Sequence, residues 1–312
     1  MPHQTSNILD LEETMQIPSP LQPSTRTLLG PGPSDAHPAV LRAMVNPLMG
    51  HLDPEFVLIM SQVQEMLRGV LKTKNKVTLP ISATGMAGME CCLVNLLEPG
   101  DKVVVCAMGF FGQRMIDVAG RTGAQVTTIQ APWGKTFSLD EIRDTVSKVK
   151  PKVLGIVHAE TSTGAMQPHI KEIADICHEH GALLVIDAVT SLACVEVDID
   201  GWGVDAVYSC SQKGLGCPPG LSPISFSDRA VEVIKNRKSK VQSWYLDMTT
   251  VMSYWGQDRV YHHTGPISMI YAIHEGLRLV LEEGLENRWK RHWNNHKALK
   301  AGLEALNLHY TA

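Results

Sequence analysis

Short apolar runs rich in β-branched residues punctuate the middle of the chain, and helical patterns fill most of the gaps between them. The runs are Val77–Ser82, Lys102–Ala107, Gln125–Ile129, Val153–His158, Leu183–Asp187, Ala206–Ser209 and Pro223–Phe226. Each is compact rather than alternating, as strands covered on both faces are. Helices are expected over Gly88–Leu97, Gly112–Gly120, Leu139–Val149, Ile170–His180 and Arg229–Arg237. Glu98-Pro99-Gly100-Asp101 stops the first, and Ser138 with Glu141 has the capping-box spacing ahead of the third. This alternation predicts an α/β fold with a mostly parallel central sheet. After residue 260 the pattern turns helical, with Ile267–Glu283 and Leu285–Leu306 split at Gly284. The second of these reads as a connector leading away from the sheet.

Of the 312 residues, 44% are hydrophobic, enough for a large core. Charged residues make up 19%, the net charge is -4, and no block of like charge stands out. Neither nucleic acid nor an anionic membrane is therefore an expected partner. The densest basic stretch, Arg229 to Lys240, reads as a solvated helix end. Seven cysteines at irregular spacing, without a CxxC pair, suit a reducing compartment. The first residues are polar and proline-rich, carry Asp10, Glu12 and Glu13, and show no Lys or Arg before Arg26. That fits neither a secretory nor a mitochondrial leader. No apolar stretch reaches membrane-spanning length. The cytoplasm is the expected location.

In a parallel α/β sheet, ligands collect at the carboxyl ends of the strands. Three segments of chemical interest fall there. Val185-Ile186-Asp187 is an apolar strand ending in a carboxylate, and Tyr208 to Gly214 runs from a strand into Lys213 among small residues. Ser82 to Gly88 joins a strand to a helix through small residues. Alone, each has a bland reading: a turn aspartate, a solvated loop lysine, a common connection. Together they make one device. Pyridoxal 5'-phosphate needs a lysine for covalent attachment, an acidic partner for its ring nitrogen and a phosphate cradle. Lys213 would supply the first and then act as the base at the substrate Cα. Asp187 would keep the ring nitrogen protonated. Thr84, Gly85 and Met86 would offer N–H groups at a helix N-terminus to the phosphate. Phe111, after another strand, would stack on the ring.

Asp187 with Ser211-Gln212-Lys213 resembles the cofactor site of class V aminotransferases of fold type I, and within them the alanine–glyoxylate and serine–pyruvate group. The resemblance runs from Leu29-Gly30-Pro31-Gly32-Pro33 to about Leu306. It includes Met49-Gly50-His51, Gly112-Gln113-Arg114, Glu160 to Gly164, Gln167-Pro168, Pro218-Pro219-Gly220 and Tyr261-His262-His263-Thr264. It implies an enzyme that transfers the amino group of alanine or serine to glyoxylate or pyruvate. It also implies that Ser162, or Thr161 in its place, lies near the ring hydroxyl, and that Gln212 joins Gly85 and Met86 at the phosphate. Tyr261 and Thr264 would reach the neighbouring subunit's phosphate, which implies a homodimer with shared active sites. The loop holding Gly32 would lie near the substrate.

Three departures stand against the family pattern. Met86 occupies a position that is often His, and Phe111 one that is often Trp. The family also has a small C-terminal domain that supplies an arginine for the substrate carboxylate, and the 312 residues end before it. The implied organisation is an N-terminal extension over 1–24, a large cofactor-binding domain over 25–285, and a connector with the start of the small domain over 286–312. Two other readings stand beside transamination of alanine or serine. One is a related class V enzyme acting on hydroxykynurenine or an aminophosphonate. The other is a shortened chain that binds the cofactor but turns over little. A zinc site at His178 and His180 is disfavoured, because their spacing puts them on different helix faces. Ser211 lacks the surroundings of a hydrolase nucleophile.

Overall fold

The computed structural model describes residues 17–312, so residues 1–16 of the N-terminal extension, with Asp10, Glu12 and Glu13, lie outside the described residues. One sheet organises the rest. Its strands are β1 (Val77–Ile81), β2 (Lys102–Ala107), β3 (Gln125–Gln130), β4 (Val153–Val157), β5 (Leu183–Asp187), β6 (Ala206–Tyr208) and β7 (Ser222–Phe226), in the order β1-β7-β6-β5-β4-β2-β3. The helices are α1 (Pro38–Met44), α2 (Pro54–Leu71), α3 (Gly85–Leu96), α4 (Phe110–Arg121), α5 (Leu139–Val149), α6 (Ile170–Glu179), α7 (Ile199–Trp202), α8 (Asp228–Lys235), α9 (Met248–Trp255), α10 (Ile267–Glu283) and α11 (Leu285–Ala305). β7 runs antiparallel to both neighbours, and the pairs from β6 to β3 are parallel. β1 and β6 are both antiparallel to β7, so their carboxyl ends lie on the same side of the sheet as those of β2, β4 and β5.

The apolar runs become strands because each can be buried. Every residue of β4, β5 and β7 is buried, so both faces of the sheet are covered there. β3 departs from that expectation. It is an edge strand in which Ile129 is the buried residue, which suits its Gln and Thr content. α2 adds to the helices expected from the sequence. Its start carries the usual signals: Asp53 Oδ1 accepts from the Glu55 N–H at 2.8 Å, and Pro54 takes the first helical position. Phe56, Met60, Val63, Leu67 and Val70 recur at helical spacing and form the buried face, packed beside α10.

Two helices begin earlier than the sequence suggests, and this matters for the site. α3 starts at Gly85 and α4 at Phe110, so Gly85, Met86 and Phe111 lie in first helical turns, with Thr84 as the N-cap of α3. α4 lies close on β2. A Cβ added to Gly112 would come within 2.6 Å of the Ala107 Cα, which is backbone and cannot swing aside. Gly112→Ala is expected to cost about 1–3 kcal/mol, the usual range for overpacking. A lower midpoint in urea unfolding would show it; an unchanged midpoint would contradict this contact. Among the described residues no helix is long and apolar enough to cross a membrane.

Candidate active site

The carboxyl ends of β1, β2, β4, β5 and β6 deliver the candidate residues to one edge of the sheet. Asp187 closes β5 and is buried. Its Oδ1 accepts from the Val189 N–H and its Oδ2 from the Tyr208 hydroxyl, both at 2.8 Å. Burial pushes this carboxyl up to about 7, against the pull of those two hydrogen bonds, and nearby Glu160 adds to the rise. Burial, with Asp187 beside it, also holds the Tyr208 phenol well above its ordinary range, so it stays a donor. Asp187 and Tyr208 are partners in the β5–β6 register, so the pairing is a product of strand alignment. Sequence reasoning gave Tyr208 no role, although both strands were legible and their register would have found it.

Lys213 follows β6. Its Nζ donates to the Pro31 carbonyl at 2.7 Å. Ser34 clamps the same two segments together: its N–H donates to the Gln212 carbonyl at 2.8 Å and its hydroxyl to the Lys213 carbonyl at 2.9 Å. Gly32 sits against the lysine. A Cβ built there would lie 2.2 Å from Nζ, and its φ of +144° already disfavours other residues. The N-terminal loop and the lysine segment thus form one wall of a cavity of about 500 Å³, which Glu160, Thr161, Thr190, Arg288 and Arg291 also line.

Gly85 packs close to the lysine segment. An added Cβ would meet the Cys210 Cβ at 2.9 Å. Thr84 is the N-cap of α3 and makes no side-chain capping bond, which leaves the first-turn N–H groups of Gly85 and Met86 outside the intrahelical ladder. The Gln212 side-chain oxygen is buried without a hydrogen-bond partner among the described residues.

Glu160 organises the remaining wall. It is buried and accepts from the N–H groups of Phe111, Gly112 and Ser162 and from the Ser162 hydroxyl at 2.7 Å. A carboxylate at the first turn of α4 is favoured by the helix dipole. It ties Phe111 and Ser162 to one anchor, and sequence reasoning gave it no role. Thr161, rather than Ser162, reaches the cavity that holds Lys213. Tyr261 and Thr264 do not line that cavity. Tyr261 is exposed and its ring lies 5.1 Å from that of His51. The segment they belong to touches the cradle side, where His263 Nε2 lies 2.7 Å from the Ser82 hydroxyl. Arg288 and Arg291 also lay outside the sequence expectations. Arg288 donates to the Gly214 carbonyl at 2.5 Å and the Ala193 carbonyl at 3.2 Å, so the first turns of α11 are pinned to the lysine segment.

A buried aspartate closing one strand and a lysine in the loop after its neighbour, in such a sheet, mark a fold type I transferase, the class whose cofactor is pyridoxal 5'-phosphate. The family model described as aminotransferase class-V matches residues 29–312, and the chain belongs to that family. It is 39% identical over 301 residues to the (S)-ureidoglycine–glyoxylate transaminase of Bacillus subtilis, covering 91% of this chain and 72% of the relative. It is 39% identical over 303 residues to the alanine–glyoxylate aminotransferase of Drosophila melanogaster, covering 96% of this chain and 77% of the relative. Among solved structures it superposes on the alanine–glyoxylate aminotransferase of Nostoc sp. with a TM-score of 0.92 and 51% identity, over 93% of this chain and 77% of that one.

The residues present fit the cofactor in kind. There is a primary amine at the cavity wall, a buried carboxyl whose charge lacks a cationic partner, and a helix N-terminus with unclaimed N–H groups. The buried amide oxygen of Gln212 is left over beside them.

Proposed function

We propose that this chain is an aminotransferase passing the amino group of a small amino acid, alanine or serine, to glyoxylate or pyruvate. The observation that carries the reading is that neighbouring strands serve both residues: Asp187 closes β5, and the loop that follows β6 brings Lys213 to the wall of an open cavity. The bound cofactor supplies an electron-accepting ring that spreads negative charge developing at the substrate Cα. Lys213 Nζ would hold the cofactor covalently and would serve as the base at the substrate Cα. Asp187 would be the acidic partner that keeps the ring nitrogen protonated. The Tyr208 hydroxyl and the Val189 N–H aim the carboxylate. The N–H groups of Gly85 and Met86, with Thr84 and Gln212, cradle the phosphate. Phe111 would present a π face to the ring, and Thr161 or Ser162 would meet the ring hydroxyl. Thr161 is supported by its place in the cavity, Ser162 by its anchorage on Glu160.

Substrate enters past Gly32 and lies in the cavity shared with Lys213. The active unit is a homodimer in which Tyr261 and Thr264 complete the partner subunit's phosphate site. Their exposure, and their place outside the lining of this chain's own lysine cavity, support that reading. The cytoplasm is the proposed location, supported by seven free cysteines.

Glyoxylate is the acceptor common to the names of both groups of relatives, which favours it over pyruvate. The donor is where those relatives differ, so (S)-ureidoglycine is the second donor reading. Half-reactions discriminate. Purified holoenzyme is mixed with L-alanine, L-serine or (S)-ureidoglycine, and the visible cofactor band is followed. Bleaching by alanine or serine, reversed by glyoxylate, is expected. Bleaching by (S)-ureidoglycine alone would replace the donor, and no bleaching by any amino acid would contradict the aminotransferase reading.

A further inference from the structure

A second cleft, of about 590 Å³, opens along the edge strand β1, between α2 and the end of α9. It shares no lining residue with the cavity that holds Lys213. Arg68, Lys74, Lys76 and Arg259 line it, and among the described residues no carboxylate does. Arg68 has a counter-charge in Glu65, at 2.6 Å. Lys74, Lys76 and Arg259 have no carboxylate within ion-pair distance among the described residues.

Arg259 is the most unusual of the three. One guanidinium nitrogen donates to the Ser61 hydroxyl at 2.7 Å. The other, Nη1, is buried and has no partner among the described residues. Burial is the main influence on this guanidinium and depresses its basicity, which a neighbouring anion would counter. Proteins seldom bury a charged donor without an acceptor, because the lost hydration is then uncompensated. An acceptor that brings negative charge would satisfy the orphaned N–H and neutralise the two lysines at the rim.

We infer that this cleft is a binding site for a small multivalent anion, phosphate- or carboxylate-bearing, seated on Arg259 and held at its rim by Lys74 and Lys76. A planar guanidinium grips such groups through paired donors, and the lysines add charge without demanding geometry. The clustered positive charge would also draw the anion in, with an attraction that salt screens.

The test uses holoenzyme, so that the active-site phosphate cradle is already filled. Inorganic pyrophosphate and citrate are titrated separately by calorimetry at low salt, which separates phosphate from carboxylate recognition. One saturable event per chain is expected for at least one of the two, weakening as salt rises. Lys74→Gln with Lys76→Gln is expected to weaken it at least about tenfold, with the visible cofactor band unchanged, since both side chains are exposed and remote from the lysine cavity. Arg259→Gln should abolish it. The inference is overturned if neither anion binds saturably, or if the double lysine variant binds as the parent does. It is also overturned if that variant changes the oligomeric mass, for then protein covers the cleft.

Discussion

Lys213→Ala is expected to lose the visible absorbance of the holoenzyme and at least about four orders of magnitude of turnover, because one residue serves as covalent anchor and as base. Lys213 is the lysine that lines the 500 Å³ cavity; the other cations there, Arg288 and Arg291, carry guanidinium groups that cannot take its place. Removing the side chain frees the Pro31 carbonyl, yet Ser34 still bonds the carbonyls of Gln212 and Lys213, so the loop should stay docked. The thermal midpoint of the cofactor-free variant should therefore stay close to that of the cofactor-free parent. Loss of the band with the fold retained separates chemistry from collapse. A variant that keeps the band and turns over like the parent would contradict the assignment.

Asp187→Asn has the second large expected effect, and it has a pH signature. The folded carboxyl titrates at about 7, against an ordinary value of 3.8. Between those values the folded cofactor-free protein holds a proton that the unfolded chain has released. Its stability therefore falls as pH rises from about 4 to about 7, and stays lowered above that. A shift of about three units corresponds to roughly 4 kcal/mol across the window, an upper figure. Asparagine carries no charge, so this part of the pH dependence should vanish in the variant. Asparagine also changes the bonds to Val189 and Tyr208, which adds a pH-independent offset; the slope, not the absolute stability, is the quantity to compare. Urea unfolding of both cofactor-free proteins across the window measures it, and equal slopes would sink the account. In the holoenzyme a cationic ring nitrogen beside Asp187 would favour the charged form and remove the slope. Losing that charge should cost turnover about 10²–10³-fold, the range for removing one preorganised electrostatic stabiliser.

The strands were legible because burial on both faces demands unbroken apolar runs, and β4 and β5 are buried throughout. The helix starts at Gly85 and Phe110 were harder to read, because small residues and paired aromatics give no periodic signal where a first turn packs on strand ends. Lys213 and Asp187 could be singled out since Asp187 closes an apolar strand and Lys213 follows another among small residues. What joins them could not be read so directly. The Tyr208 bond depends on strand register, and Glu160 gathers donors from two segments that are about fifty residues apart in sequence. The bracing of Gly214 by Arg288 depends on how α11 leaves α10, a long-range angle that no local pattern encodes.

The central claim is that Lys213 carries the cofactor, and chemical trapping tests it most directly. Holoenzyme is reduced with borohydride to fix any covalent link, digested, and mapped by mass spectrometry. The account requires the pyridoxyl group on the peptide containing Lys213, and its absence from the same peptide of Lys213→Ala. A pyridoxyl group on another lysine, or on none after incubation with excess pyridoxal 5'-phosphate, would contradict it.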